Sequence, residues 1–296
     1  MYICTTKNLN LYLSNKLYAK TNTEEHIMKK RIFRGATFIV LALSIPAISW
    51  SLKDGNELSN TPAPQEQVQN TLVSEAVSAE EIFNNYITEV YDSAKLSEAA
   101  LDFEVYKKAL TGYYNLKSDF KVSSDKQIIS IVDFSKPSSE KRLWIVDLAN
   151  RKLLFHTLVA HGRGSGGLMA DNFSNIPESH KSSLGFYVTD DTYIGKHGLS
   201  LRLKGLDKEF NTNALSRAIV VHGADYVSQR FVNQNGYLGR SHGCPAIPVE
   251  LTNDIIKTIK GKTALFIYGA PVTSDFLNTE VAANSFMSAT RTLAKL

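Results

Sequence analysis

The 296-residue chain is 43% hydrophobic and 21% charged, which excludes a fibrous or wholly disordered protein and leaves room for one good core with a small second unit. Its formal charge of +4 belongs to the N-terminus: residues 1–49 hold seven Lys/Arg against Glu24 and Glu25, and removing them leaves 26 basic residues against 27 acidic ones. The basic balance therefore implies no nucleic-acid partner.

In chain order, Met28-Lys29-Lys30-Arg31-Ile32-Phe33-Arg34 is a basic n-region. Ala36 to Ile45 is an apolar run of secretory length, and Ala47-Ile48-Ser49 offers small residues for cleavage. The run is too short and too Pro-interrupted for a spanning helix, which needs about 20 residues. Residues 28–49 are thus expected to be a cleaved signal peptide that leaves no stable membrane anchor, and 1–27 an upstream extension from a mis-chosen start codon. The expected location is the periplasm or cell wall. Residues 50–78, polar with Pro62 and Pro64, read as a linker. Residues 79–122 carry apolar residues at three- and four-residue steps (Ile82, Phe83, Tyr86, Ile87, Val90; Leu101, Val105, Tyr106, Ala109, Leu110) and predict two or three helices.

From residue 123 the period changes to two. Strands are predicted at Ile128–Phe134, at Leu143–Leu148 and Lys152–Val159 as a hairpin around Ala149-Asn150-Arg151, and at Leu184–Thr189, Leu199–Leu203, Ala218–Val221 and Thr263–Tyr268. His161 to Gly167 is a Gly-rich loop without the ending of a phosphate loop. A helix is predicted behind Pro248, with Leu251, Ile255, Ile256 and Ile259 on one face and a stop at Gly261. Residues 271–296 read as a peripheral tail. Short strands with few helices between them indicate a mainly β core with some α, here a catalytic domain over 123–270.

Cys4 falls in the extension, so a mature exported chain keeps one thiol, Cys244, in a compartment where paired thiols become disulfides. Cys244 lies in Gly239-Arg240-Ser241-His242-Gly243-Cys244-Pro245, ahead of the predicted helix start, where unpaired N–H groups and the helix dipole favour thiolate. A thiolate–imidazolium pair is the expected working form. The Gly243 and Cys244 N–H groups are candidates for an oxyanion site. Two histidines compete as base. His222, followed by Gly223 at the end of an apolar strand, is better placed for proton transfer than His242, which is only two residues from the thiol. His161, His180 and His197 read as surface loop residues. A zinc site is disfavoured, because closely spaced ligand pairs are missing, and no metal or cofactor is expected.

His222-Gly223 followed by Ser241-His242-Gly243-Cys244 resembles the signature of the murein L,D-transpeptidase catalytic domain, the YkuD-like family, over roughly 128–269. The resemblance implies a β-sandwich-like mixed-sheet fold with Cys244 as nucleophile and His222 as its base. Gly243, Ser241 and His242 would shape the acyl and oxyanion pocket, beside Gly223. The implied substrate is a peptidoglycan stem tetrapeptide: D-Ala leaves, a thioester forms, and an amine acceptor completes a crosslink. Water as acceptor would give an L,D-carboxypeptidase, and a non-catalytic wall-binding module is the alternative of another class. Pro245-Ala246 stands where the usual members have a hydrophobic residue and then Arg, so Arg240 or Arg163 is expected to supply the missing cation. The 22-residue spacing from His222 to Cys244 is also longer than usual, which marks a divergent branch.

Overall fold

The computed structural model describes residues 77–293, with side chains through Thr290. The expected extension, the signal peptide and all of the linker before Val77 lie outside the described residues. Helices α1 (Ala79–Ser93) and α2 (Phe103–Ser118) come first. Ser78 Oγ accepts the Glu81 N–H (3.1 Å) and Asp102 Oδ1 accepts the Val105 N–H (3.0 Å), so each helix begins on a side-chain cap. The strands are β1 (Ile128–Asp133), β2 (Leu143–Asp147), β3 (Lys152–Thr157), β4 (Gly185–Gly195), β5 (Gly198–Gly205), β6 (Val220–Gly223), β7 (Ala246–Ile247) and β8 (Ala264–Tyr268). Helices α3 (Gln229–Asn235), α4 (Thr252–Ile259) and α5 (Thr279–Leu293) complete the set.

The eight strands form one mixed sheet in the order β3-β2-β1-β8-β4-β5-β6-β7, with β1–β8 and β6–β7 parallel and the other neighbours antiparallel. The period-2 pattern is apolar on both faces because both are covered. Ile129, Ile131, Trp144, Val146, Phe186 and Phe266 join a core with α1, α2 and α5. Their neighbours Val132, Leu143, Ile145, Leu265 and Ile267 join a second core with Ile219, Val221 and the Ile255, Ile256 and Ile259 face of α4. Each large apolar side chain so buried contributes about 1.5–3 kcal/mol.

One organisational expectation is corrected. Residues 271–293 are not a peripheral tail: α5 buries Ala282, Ala283 and Phe286 against α1 and α2, with Phe286 ringed by Phe83, Tyr86 and Tyr114. The helices over 79–122 pack on the sheet. Trp144 Nε1 of β2 donates to Ala99 O (2.8 Å), and Asn115 Nδ2 donates to Phe276 O (2.5 Å) and Asn278 O (2.9 Å). Among the described residues no helix is long and apolar enough to cross a membrane.

The short strand β7 is held on both sides. It runs parallel to β6 (His222 beside Ala246, Gly223 beside Ile247), while the Ala160 N–H donates to Ala246 O (2.8 Å). From there the Gly-rich loop tracks the residues preceding Cys244. The Ser241 N–H donates to His161 O (3.0 Å) and the Arg163 N–H to Ser241 O (2.8 Å). Ser182 Oγ receives the Gly162 N–H (3.0 Å) and donates to Gly243 O (3.2 Å). The two backbones approach so closely that a Cβ on Gly162 would meet His180 O and would lie 2.9 Å from Gly243 N and Cα. Gly167, by contrast, has open space around it. Gly162→Ala should therefore displace the 239–244 loop and destabilise the protein by about 1–3 kcal/mol, as overpacking does. Gly167→Ala is its control and should melt like wild type; equal melting curves for the two variants would contradict this close approach.

Candidate active site

Cys244 stands at one end of the sheet beside β6. The Val220 N–H points at Cys244 Sγ (3.5 Å), and Sγ lies 3.7 Å from Ala218 O. Along β6, Ile219 and Val221 face the second core, so the alternation of the strand turns Val220 and His222 to the opposite side. Both line a cleft of about 540 Å³ together with Cys244. Of the expected site residues, the cleft wall also holds Arg240, Ser241 and His242. Gly223 and Gly243 are buried beside it.

The imidazole of His222 is oriented by its own backbone. Nδ1 lies 2.9 Å from Gly223 O, and a carbonyl only accepts, so Nδ1 carries the proton and Nε2 is the basic nitrogen. The ring of His197, from the β4–β5 turn, stacks on it at 4.5 Å and 24°. Burial is the main influence lowering the His222 pKa, His197 and Lys196 push the same way, and the Gly223 carbonyl opposes them. The Cys244 thiol moves the other way. Burial raises its pKa, against the Val220 N–H, Arg217, its own N–H and Lys196. Both shifts favour a neutral thiol and a neutral imidazole at rest over the expected ion pair. The expected helix dipole is also missing: β7 and a 3₁₀ turn (Val249–Leu251) separate Cys244 from α4.

The loop residues have tighter duties than their positions suggested. Ser241 Oγ accepts the Gly243 N–H (3.0 Å) and donates to Cys244 O (2.7 Å). The Gly243 N–H, expected to face a substrate carbonyl, is thus occupied in the resting loop. Gly243 sits at φ +121°, a backbone region that disfavours any side chain, and a Cβ there would be 2.7 Å from Lys181 O. His242 is exposed and its ring packs on His180 at 4.4 Å. Arg240 Nη1 donates to Gly166 O (3.0 Å) while its guanidinium lies over Tyr237.

The expectation that His161 is a surface loop residue is corrected, whereas His197 is exposed in its turn as expected. His197 packs on the candidate base. His161 is fully buried beneath the Gly-rich loop, with Nδ1 2.7 Å from Arg142 Nη2. Arginine has no acceptor, so Nδ1 accepts and Nε2–H points to Gly166 O (3.4 Å). Arg142 is itself fully buried, donating to Val159 O and Lys136 O. Sequence reasoning also missed Arg217. Its guanidinium donates to Ser174 O (2.7 Å), Ser183 Oγ (2.5 Å) and Lys181 O (2.6 Å) beside Gly243 and the thiol. Nothing local in Ser216-Arg217-Ala218 signals this, whereas a turn at Lys196-His197 was legible from the flanking Gly195 and Gly198.

Burial, then the charge of Arg142, lowers the His161 pKa to about 4 from its ordinary 6.5. The unfolded chain then binds the extra proton between those values, so this contribution to stability is complete above pH 6.5 and is lost as pH falls toward 4. It amounts to at most about 3 kcal/mol. Thermal melts at pH 7 and pH 5 should show a smaller acid loss for His161→Gln than for wild type; parallel losses would contradict the assignment. The rate of Cys244 alkylation by iodoacetamide should rise with a midpoint above the ordinary thiol value of about 8.5, and a midpoint near or below 7 would mean that the ion pair pre-exists.

The L,D-transpeptidase catalytic domain model matches residues 97–268, more than half of the chain. Among solved structures, the chain is similar to an L,D-transpeptidase from Mycobacterium smegmatis (10% identity, 49% of this chain and 59% of that chain covered, TM-score 0.32). It is likewise similar to an L,D-transpeptidase from Mycobacterium tuberculosis H37Rv (11% identity, 49% and 58% covered, TM-score 0.32). A third is the L,D-transpeptidase from Xylanimonas cellulosilytica (12% identity, 55% and 80% covered, TM-score 0.28). The chain spans 59% of the length of the Mycobacterium smegmatis chain. No curated protein matches. On the match of its residues 97–268, the chain belongs to the L,D-transpeptidase catalytic domain family.

Proposed function

We propose that this chain is a cysteine L,D-transpeptidase that acts on peptidoglycan stem tetrapeptides. The observation that carries the reading is the pairing of β6 with β7, which sets the Cys244 thiol and His222, with Nε2 as its basic nitrogen, in one cleft. Because both groups rest neutral, His222 acts as a general base at the moment of attack. Nε2 takes the thiol proton as Sγ adds to the carbonyl between the third stem residue and D-Ala. The resulting imidazolium returns that proton to the D-Ala nitrogen, the amide breaks, and a thioester remains on Cys244. An amine from a second stem then attacks the thioester, losing a proton to His222, and the thiol is released as the crosslink forms.

The Cys244 N–H and the Gly243 N–H serve the oxyanion, the latter once Ser241 Oγ gives it up. Ser241 is thus a loop-positioning residue and His242 an outer wall of the pocket. Arg217 takes the place of the cation missing after Cys244, a role first assigned to Arg240 or Arg163. Export by the leader at 28–49, which lies outside the described residues, puts the enzyme where its substrate is.

Purified protein incubated with muropeptide tetrapeptides should release D-Ala and form crosslinked dimers by mass spectrometry, and Cys244→Ala should form none. His222→Gln should lower the rate about 10²–10⁴-fold, the usual worth of a general base. Release of D-Ala with tripeptides and no dimers would identify a carboxypeptidase. Crosslinking by Cys244→Ala would sink the reading.

A further inference from the structure

The cleft carries a charge that the reaction alone does not need. Its lining includes Lys196, Arg217 and Arg240 but no aspartate or glutamate. None of the three forms an ion pair among the described residues. Arg217 is held by carbonyl and hydroxyl oxygens and Arg240 by a carbonyl, so hydrogen bonds fix these guanidinium groups without neutralising them. Glu178, outside the lining, is the one carboxylate that acts on Arg217 and His242. Lys196 has no hydrogen-bond or ion-pair partner among the described residues. It sits exposed in the two-residue turn between β4 and β5, beside the His197 that packs on His222. Its charge acts on Cys244, His222 and His242 alike, which belong to different elements around the cleft. A concave site walled by one sign of charge concentrates ligands of the other sign and penalises neutral analogues.

We propose that this cleft selects acyl donors whose stem carboxylates are free over the same stems converted to carboxamides, and that Lys196 is a residue that sets this preference. The inference rests on the transpeptidase reading for the identity of the donor. A stem tetrapeptide with free carboxylates on its second and third residues brings two negative charges that amidation removes. Lys196, unpartnered and on a turn, meets such a charge without giving up an existing bond. Arg240 in the same lining adds to the field, and Arg217 is already held beside the thiol by hydrogen bonds to Ser174 O, Ser183 Oγ and Lys181 O.

The test separates binding from chemistry. The Kd of Cys244→Ala, or Cys244→Ser should the alanine variant fail to fold, is measured by calorimetry for two synthetic tetrapeptides that differ only in carboxylate or carboxamide on the second and third residues. The free form should bind at least about tenfold tighter at low salt, and the gap should narrow as salt rises. Adding Lys196→Gln should shrink the ratio by weakening the free form alone. Equal Kd values, a ratio untouched by Lys196→Gln, or binding of neither peptide would overturn the proposal. D-Ala release by wild type is followed in parallel. Turnover without selectivity leaves the transpeptidase reading standing, and selectivity without turnover leaves the charge preference standing without it.

Discussion

The parallel pairing of β6 with β7, His222 beside Ala246 and Gly223 beside Ile247, holds the loop that carries Cys244 against the strand that carries His222. A two-residue parallel strand is weak alone, since parallel pairing is less stable per residue and gains only with support. Here the support comes from the far side, where Ala160 pairs with Ala246 and Gly162 runs beside Ser241. The Gly-rich loop is therefore the outer wall of the 239–244 loop. Its buried Arg142–His161 contact fixes that wall from beneath, and Gly162 is glycine because the neighbouring backbone leaves no room for a Cβ.

That packing also sets the electrostatics. The closeness that aligns the thiol with β6 removes water from both Cys244 and His222, and burial drives their pKa values apart in the direction that keeps both neutral. The cations of Lys196 and Arg217 oppose that effect at Cys244 and favour its thiolate form. The same cations, lacking carboxylate partners in the cleft, make its surroundings attractive to anions.

Much of this was legible in the sequence because chemistry and periodicity are local. The period-2 runs gave β1, β2, β3 and β8 within a few residues, and His222-Gly223 with Ser241 to Cys244 drew attention to the residues that meet in the cleft. What was not legible depends on contacts far apart in the chain. His161 reads as exposed in a Gly-rich loop, yet the loop folds over it onto Arg142. Arg217 finds its oxygen partners some 34 to 43 residues upstream. The helix dipole expected at Cys244 is missing because residues 246 and 247 pair with β6, and Ala246 also with Ala160, so α4 begins only at Thr252. The C-terminal helix did have a signal in Ala282, Ala283 and Phe286, masked by the polar residues between them.

The proposed reaction requires Cys244 to be a nucleophile with an oxyanion site at its side. Intact-mass and peptide-mass spectrometry after exposure to a carbapenem tests both features at once, because a stable adduct needs attack on a carbonyl and stabilisation of the charge that follows. One adduct per chain is expected, located on the Cys244 peptide and missing from Cys244→Ala. An unmodified wild-type protein, or an adduct that persists in Cys244→Ala, would contradict it.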